Sequence, residues 1–336
     1  MLFDKLTQRG RDFLGVKYPL IAGAMTWISD YNLVEAVSDN GAFPVLAGGN
    51  MPPDIFEKEV DRCVENIKKP FAVNLITIAP NYKVQYEILQ SKNVPFVVFA
   101  GSFPRKADIR GMKTSGKRTM SFASDESIAK LQIQFGVDSL ILEGSEAGGH
   151  IGHVSLTILL QQVLFEFNEV PIFVGGGIGT GKMIAHLLAM GASGCQLGTR
   201  FVMTEECTAH KNFKDVFIKS KARHAISTPQ YDSKLPVVAV RSIKNSGTDQ
   251  FGKLQLELLK KLAKGELTRE KAQYEVEKFW MGALREAVIE GDVEKGSLMA
   301  GQSVGLMREV LPMKDVVENM IKEAEDELQK IRERVG

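Results

Sequence analysis

Short apolar runs recur at near-even spacing through the first 200 residues. They read YPLIAGAM (18–25), AFPVLAGG (42–49), PFAVNLIT (70–77), VPFVVFAG (94–101), KRTMSFAS (117–124), VDSLILEG (137–144), VPIFVGGG (170–177) and ASGCQLGTRF (192–201). Each is rich in β-branched or aromatic residues and closes on a small or polar one. Strands buried on both faces read this way, as parallel strands do. Between them lie helical segments with recognisable ends. SDYNLVEAVSDNG (29–41) opens on Ser29 or Asp30 and stops at Gly41, SDESIAKLQIQFG (124–136) opens on Ser124, and GTGKMIAHLLAMG (179–191) stops at Gly191. Strand and helix alternate about every 25 residues, so a parallel sheet of βα units is predicted. Eight units predict a closed (β/α)8 TIM barrel of the α/β class.

The rhythm breaks after about residue 200. One strand-like run remains, LPVVAVRSI (235–243), ahead of a helical stretch at 253–291 interrupted at Gly265 and a charged amphipathic helix at 312–336. The predicted division is a barrel core over 1–201, a mainly helical subdomain over the barrel mouth at 202–290, and a returning segment with a C-terminal helix at 291–336. The amphipathic C-terminal helices are compatible with a homodimer.

Composition narrows the class. The chain has 336 residues, of which 44% are hydrophobic and 25% charged, enough for a large core. Its 42 basic and 41 acidic residues leave a net charge of +1, so no bulk field favours nucleic acid or an anionic membrane. Three scattered cysteines, Cys63, Cys195 and Cys207, make neither a disulfide framework nor a zinc cluster. No apolar run approaches the roughly 18 residues of a membrane helix. Charges at Asp4, Arg9, Arg11 and Asp12 argue against a signal peptide. The expectation is a cytoplasmic enzyme acting on a small molecule.

Candidate chemistry concentrates in four stretches. In IFVGGGIGTGKMIAHLLAMGASGCQLGTRF (172–201), glycine turns follow each of the last two strands. In this fold the loops after strands seven and eight often build a phosphate site. Gly176 and Gly177 would offer backbone N–H groups, the following helix its positive end, and Gly198 with Thr199 an amide and a hydroxyl. The match of 176–183, GGIGTGKM, to a nucleotide-triphosphate loop fails, because Met183 stands where a magnesium-binding hydroxyl belongs. In EGSEAGGHIGH (143–153), Gly148 and Gly149 precede His150 at a strand C-end, where an imidazole can exchange protons near neutral pH. His153 lies three residues on, but nothing completes a metal set, so no metal is expected. His186, His210 and His224 read as structural. AGAMTW (22–27) offers Gly23 for close approach to a planar ring, with Met25 and Trp27 as apolar contacts. Asn74 is polar inside an apolar run and needs partners, in a ligand or across the barrel. KGSLMAGQSVGLM (295–307) is small and flexible enough to fold back on a ligand. Cys207 has no paired base.

In combination EGSEAGGHIG, VGGGIGTG, QLGTRF and GSLMAGQSVG resemble the flavin-dependent nitronate monooxygenase family, formerly the 2-nitropropane dioxygenases, which includes the similar type II enoyl-acyl carrier protein reductase. The resemblance runs from 18–25 to 296–305 and implies a barrel holding FMN non-covalently. It implies that Gly23, Ala24 and Met25 lie by the flavin ring, with Asn74 at its polar edge and Gly149 nearby. Gly176, Gly177, Gly198 and Thr199 would grip the phosphate. Met299, Ala300, Gly301 and Gln302 would close over the cofactor, and Glu143 and Gln196 complete the cofactor-binding set. His150 corresponds to the family's active-site histidine. The implied activity is oxidation of alkyl nitronates by dioxygen to a carbonyl compound and nitrite. The alternatives are an NAD(P)H-dependent enoyl-thioester reductase and an NAD(P)H:quinone reductase, each using NAD(P)H as electron donor. GAM at the first turn, where many members read GGM, bears on the choice of substrate.

Overall fold

The computed structural model describes residues 2–49, 51–235 and 237–335. Pro236 of the 235–243 run and Gly336 of the C-terminal tail lie outside them. The strands are β1 Leu20–Ala22, β2 Phe43–Ala47, β3 Ala72–Ile76, β4 Phe96–Ala100, β5 Arg118–Ala123, β6 Ser139–Glu143, β7 Gly149–Ile151, β8 Ile172–Gly175, β9 Gly194–Leu197, β10 Ala225–Ser227 and β11 Ala239–Ile243. All but β7, β10 and β11 form one closed parallel barrel, in which β1 pairs with both β2 and β9. Each of the eight apolar runs contributes one barrel strand, so the TIM barrel expected from the chain's rhythm is the observed fold.

Side chains alternate inward and outward along each strand. Ile21, Phe43, Ala72, Val98, Ile141 and Phe173 fill the interior. Their neighbours Leu20, Val73, Val97, Leu140 and Val174 face the helical layer. The N-terminal helix Leu2–Leu14 closes the lower end of the barrel. Its Leu14 joins the interior cluster, and the Phe13 ring meets Phe96 edge-on at 5.5 Å.

Helix ends follow local chemistry. Asp30 accepts from the Leu33 N–H at 3.0 Å and Asp125 from Ile128 at 2.9 Å. Asp125, not Ser124, is therefore the cap of the second of these helices, because its carboxylate reaches the third helical amide. That helix stops at Gly136 in the left-handed region.

Beyond residue 202 the chain is helical with an embedded sheet. Helices Ser246–Ala263 and Arg269–Arg285 flank the break at Gly265. The 235–243 run supplies β11, the centre of an antiparallel sheet ordered β10-β11-β7. β7 comes from the segment that follows barrel strand β6, so this sheet ties the C-terminal region to the barrel mouth. Helix Met313–Val335 returns to pack on Gly181–Ala189. Among the described residues no helix is long and apolar enough to cross a membrane.

Candidate active site

The strands end on a polar layer above the apolar plug. Alternation turns Asn74 of β3, Glu143 of β6 and Gln196 of β9 inward at the upper rim. Asn74 is buried and donates from Nδ2 to the Val98 carbonyl at 3.1 Å, so one half of its amide belongs to the barrel wall. Gln196 lies against Gly23 and Gly175. Among the described residues no charged partner faces Glu143, and burial pushes its carboxyl up to about 8. At neutral pH it is a proton-bearing donor rather than an anion.

The segment after β6 is more rigid than its glycines suggest. Gly144 donates to Gly175 at 3.2 Å, Ser145 to Val154 at 2.9 Å, and the Glu146 carboxylate accepts from the Leu156 N–H at 3.0 Å. From β11, the buried Arg241 donates through Nε to the Ser145 carbonyl at 2.9 Å and through Nη1 to Ala225 at 2.7 Å. The two glycines before His150 do not leave it on a loose turn: Gly149–Ile151 is a strand, with His150 opposite Val240.

Residues 299–302 fold back onto this segment and onto Thr199. Gln302 donates to the Glu146 carbonyl at 2.9 Å and Gly301 to the Thr199 hydroxyl at 3.1 Å. Gly148 is glycine of necessity, since a Cβ there would lie 2.5 Å from the carbonyl carbon of Ala300 and the nitrogen of Gly301. The Met299 sulfur lies beside Gly149 and the Met25 sulfur beside Gly198. Ala24 packs on the interior cluster. Four sequence-distant stretches therefore meet at one end of the barrel.

The two glycine turns carry unspent donors. Gly176 and Gly177 take φ of +93° and +72°. Among the described residues, the backbone N–H groups of Gly176, Gly177, Gly198 and Thr199 have no acceptor. The helix expected to aim its amides at a ligand does not, since the Gly181 N–H donates to Glu323 at 2.8 Å and the Met183 N–H to Thr180. The C-terminal helix has taken up that dipole end, and the free donors belong to the turns themselves.

His150 points at the C-terminal region. Its Nε2 lies 3.4 Å from Glu277 Oε2 on helix Arg269–Arg285. Trp27 reaches the same helix, donating from Nε1 to the Met281 carbonyl at 3.3 Å. The other histidines the sequence marks as structural have packing roles. His210 caps Lys211–Lys219, His224 accepts from the Lys221 N–H at 3.1 Å, and His186 lies 3.3 Å from Glu327. Cys207 is buried, and desolvation raises its thiol above the ordinary range. Sequence reasoning missed Glu277, Arg241 and Glu146. Arg241 had a signal, a lone charge inside the apolar run 235–243, whereas Glu277 is one acid among many on an amphipathic helix.

Comparison with known proteins agrees with this architecture. Over 97% of this chain and 99% of theirs, the coordinates of FabK from Thermotoga maritima superpose with a TM-score of 0.86 and 30% identity. A probable nitronate monooxygenase of Staphylococcus saprophyticus is 26% identical, covering 96% of this chain and 99% of that protein. A Rhodococcus jostii (3aS,4S,5R,7aS)-5-hydroxy-7a-methyl-1-oxo-octahydro-1H-indene-4-carboxyl-CoA dehydrogenase is also 26% identical, over 93% of this chain and 94% of that one. The nitronate monooxygenase family profile matches residues 8–323. With that span covering the barrel, the region beyond residue 202 and about half of the C-terminal helix, the chain belongs to the nitronate monooxygenase family.

Proposed function

We propose that this chain is an FMN-dependent oxidoreductase that oxidises alkyl nitronates with dioxygen to a carbonyl compound and nitrite. The observation that carries the cofactor reading is the group of four unspent amides at Gly176, Gly177, Gly198 and Thr199. Such a group suits a phosphate monoester, which accepts several hydrogen bonds at once. The rest of the mouth suits the remainder of FMN. Gly23, Ala24, Met25, Gly149 and Met299 present small or soft surface to a flat ring. Asn74 Oδ1, Gln196 and the proton-bearing Glu143 present polar atoms to its edge. Gly301 and Gln302, held by Thr199 and Glu146, close the phosphate side.

FMN bound there would supply two-electron redox chemistry between a reduced substrate and an acceptor. The chain's own residues bind, orient and manage protons. Glu143 holds a proton at neutral pH and can donate a hydrogen bond without adding charge. His150, beside Glu277, faces substrate from the cap side and holds or moves one proton. The sheet β10-β11-β7 and helix Arg269–Arg285 lie beside His150 at the mouth. The chain is then a barrel at 1–201, a cap at 202–290 and a returning segment at 291–336, with β7 of the first part pairing with β11 of the second.

A second reading has its own support. The 30% identity to FabK exceeds the 26% to the staphylococcal relative, and the Rhodococcus relative is named for a CoA thioester. Two proton-holding groups at the mouth also suit a reduction, which must protonate its product. In that reading NAD(P)H is the electron donor and an enoyl thioester the acceptor. Anaerobic mixing separates the two. Flavin bleaching by an alkyl nitronate alone supports the oxygenase reading. Bleaching by NADH or NADPH with none by nitronate supports the reductase and removes the first reading.

A further inference from the structure

We propose that Glu277 is the positioning residue for His150, holding the ring proton on Nε2 and leaving Nδ1 as the unprotonated ring nitrogen. The pairing of β7 with β11 places His150 opposite Val240, so both side chains share one face of the sheet. That face is turned to the cap helices, where Val240 packs with Phe251 and Trp280. On this side His150 Nε2 has no exposed surface and, among the described residues, no hydrogen-bond partner. The carboxylate of Glu277, 3.4 Å away, faces it. A bare nitrogen lone pair against a carboxylate oxygen is repulsive, whereas an N–H in the same place is attracted and its burial compensated. The geometry therefore selects the tautomer protonated at Nε2. At 3.4 Å and without a formed hydrogen bond, the pairing is electrostatic.

The helix that carries Glu277 is independently fixed over the mouth. One turn further on, the Met281 carbonyl accepts the Trp27 indole N–H at 3.3 Å. Trp27 follows β1 and, with φ of +66°, is the one non-glycine residue among those described with positive φ. A bulky side chain in that conformation persists only where its surroundings hold it. Two residues from the barrel's side thus reach the same stretch of helix, Trp27 at one carbonyl and His150 at one carboxylate. Glu277 acts through the imidazole and needs no contact with substrate.

The inference rests on reading His150 as the group that meets substrate, and a direct readout separates the two. In flavin-loaded protein with ¹⁵N-labelled histidine, long-range proton–nitrogen correlation reports which ring nitrogen is protonated. The chain's five histidines are distinguished by the signal lost in His150→Gln. At a pH where the ring is neutral, wild type should show His150 protonated at Nε2. Glu277→Gln keeps an acceptor and should keep that tautomer, and Glu277→Leu should shift it toward Nδ1. Turnover in Glu277→Leu should fall roughly 10- to 100-fold, as when an outer partner of an active-site histidine is lost, with partial recovery in Glu277→Gln. A wild-type ring protonated at Nδ1, or an unchanged tautomer in Glu277→Leu, overturns the proposal. Unchanged turnover in His150→Ala, with the tautomer still following Glu277, overturns the role of His150 and upholds the pairing.

Discussion

Replacing Glu143 with glutamine should make the flavin-free protein more stable at alkaline pH and change little at acid pH. Burial moves this carboxyl from 4.5 to about 8. Between those values the folded chain holds a proton that the unfolded chain has released. Stability is then full below about 4.5, falls as pH rises through the window, and levels off above about 8. The span of about 3.5 pH units corresponds to at most about 5 kcal/mol. Glu143 keeps a little accessible surface, so about 2–5 kcal/mol is the range to expect. Glutamine has nearly the same shape and does not titrate. Urea unfolding of wild type and Glu143→Gln, each at pH 5 and pH 8.5, isolates this group from every other titrating one. The difference between the two midpoints should be small at pH 5 and should widen in favour of the variant at pH 8.5. An equal difference at both pH values would refute the reasoning, because the carboxyl would then be ionised in both folded and unfolded chains.

His150→Ala should retain bound flavin, read from its visible absorbance, while turnover drops roughly 10²–10⁴-fold; unchanged turnover would make the residue structural. Gly177→Leu should lose FMN on dialysis, since a side chain strains its left-handed backbone and meets the Glu146 side chain 3.4 Å from the new Cβ, which displaces the turn; full flavin occupancy in folded protein would remove this turn from the site. Gly148→Ala should lower stability by about 3 kcal/mol, the upper end for overpacking, because the added carbon meets backbone at 2.5 Å; an unshifted melting temperature would show that residues 299–302 are not docked as described. All three cysteines are buried. Desolvation raises each thiol, Cys63 to about 12. A thiol reagent at pH 8 should therefore titrate almost none of them until the protein is denatured.

The barrel was legible because its signals are local. Continuous apolar runs mark strands buried on both faces, and glycine or aspartate marks the helix ends between them. The glycine turns at 175–177 and 198 were equally readable, as was a fold-back of the small-residue stretch 295–307, since only backbone approach and small residues are needed there; its partners Glu146 and Thr199 were not. What escaped depends on partners far away in the chain. Nothing near His150 announces that residues 149–151 pair with 239–241, because strand pairing is set by register and not by composition. The dipole end of Gly181–Ala189 looked free until the distant Glu323 was seen to occupy it. Glu277 and Arg241 likewise gain their meaning from a fold that brings positions about 100 or more residues apart into contact.

The central claim is that the turns at 176–177 and 198–199 hold the phosphate of FMN. Titrating flavin-free protein with FMN and, separately, with riboflavin tests it directly through quenching of flavin fluorescence. Losing hydrogen bonds to a charged phosphate costs about 1.5–3 kcal/mol each. With at least two lost, riboflavin should bind roughly 10²-fold more weakly than FMN. Riboflavin binding within a few-fold of FMN, or no binding of either flavin, would contradict the account.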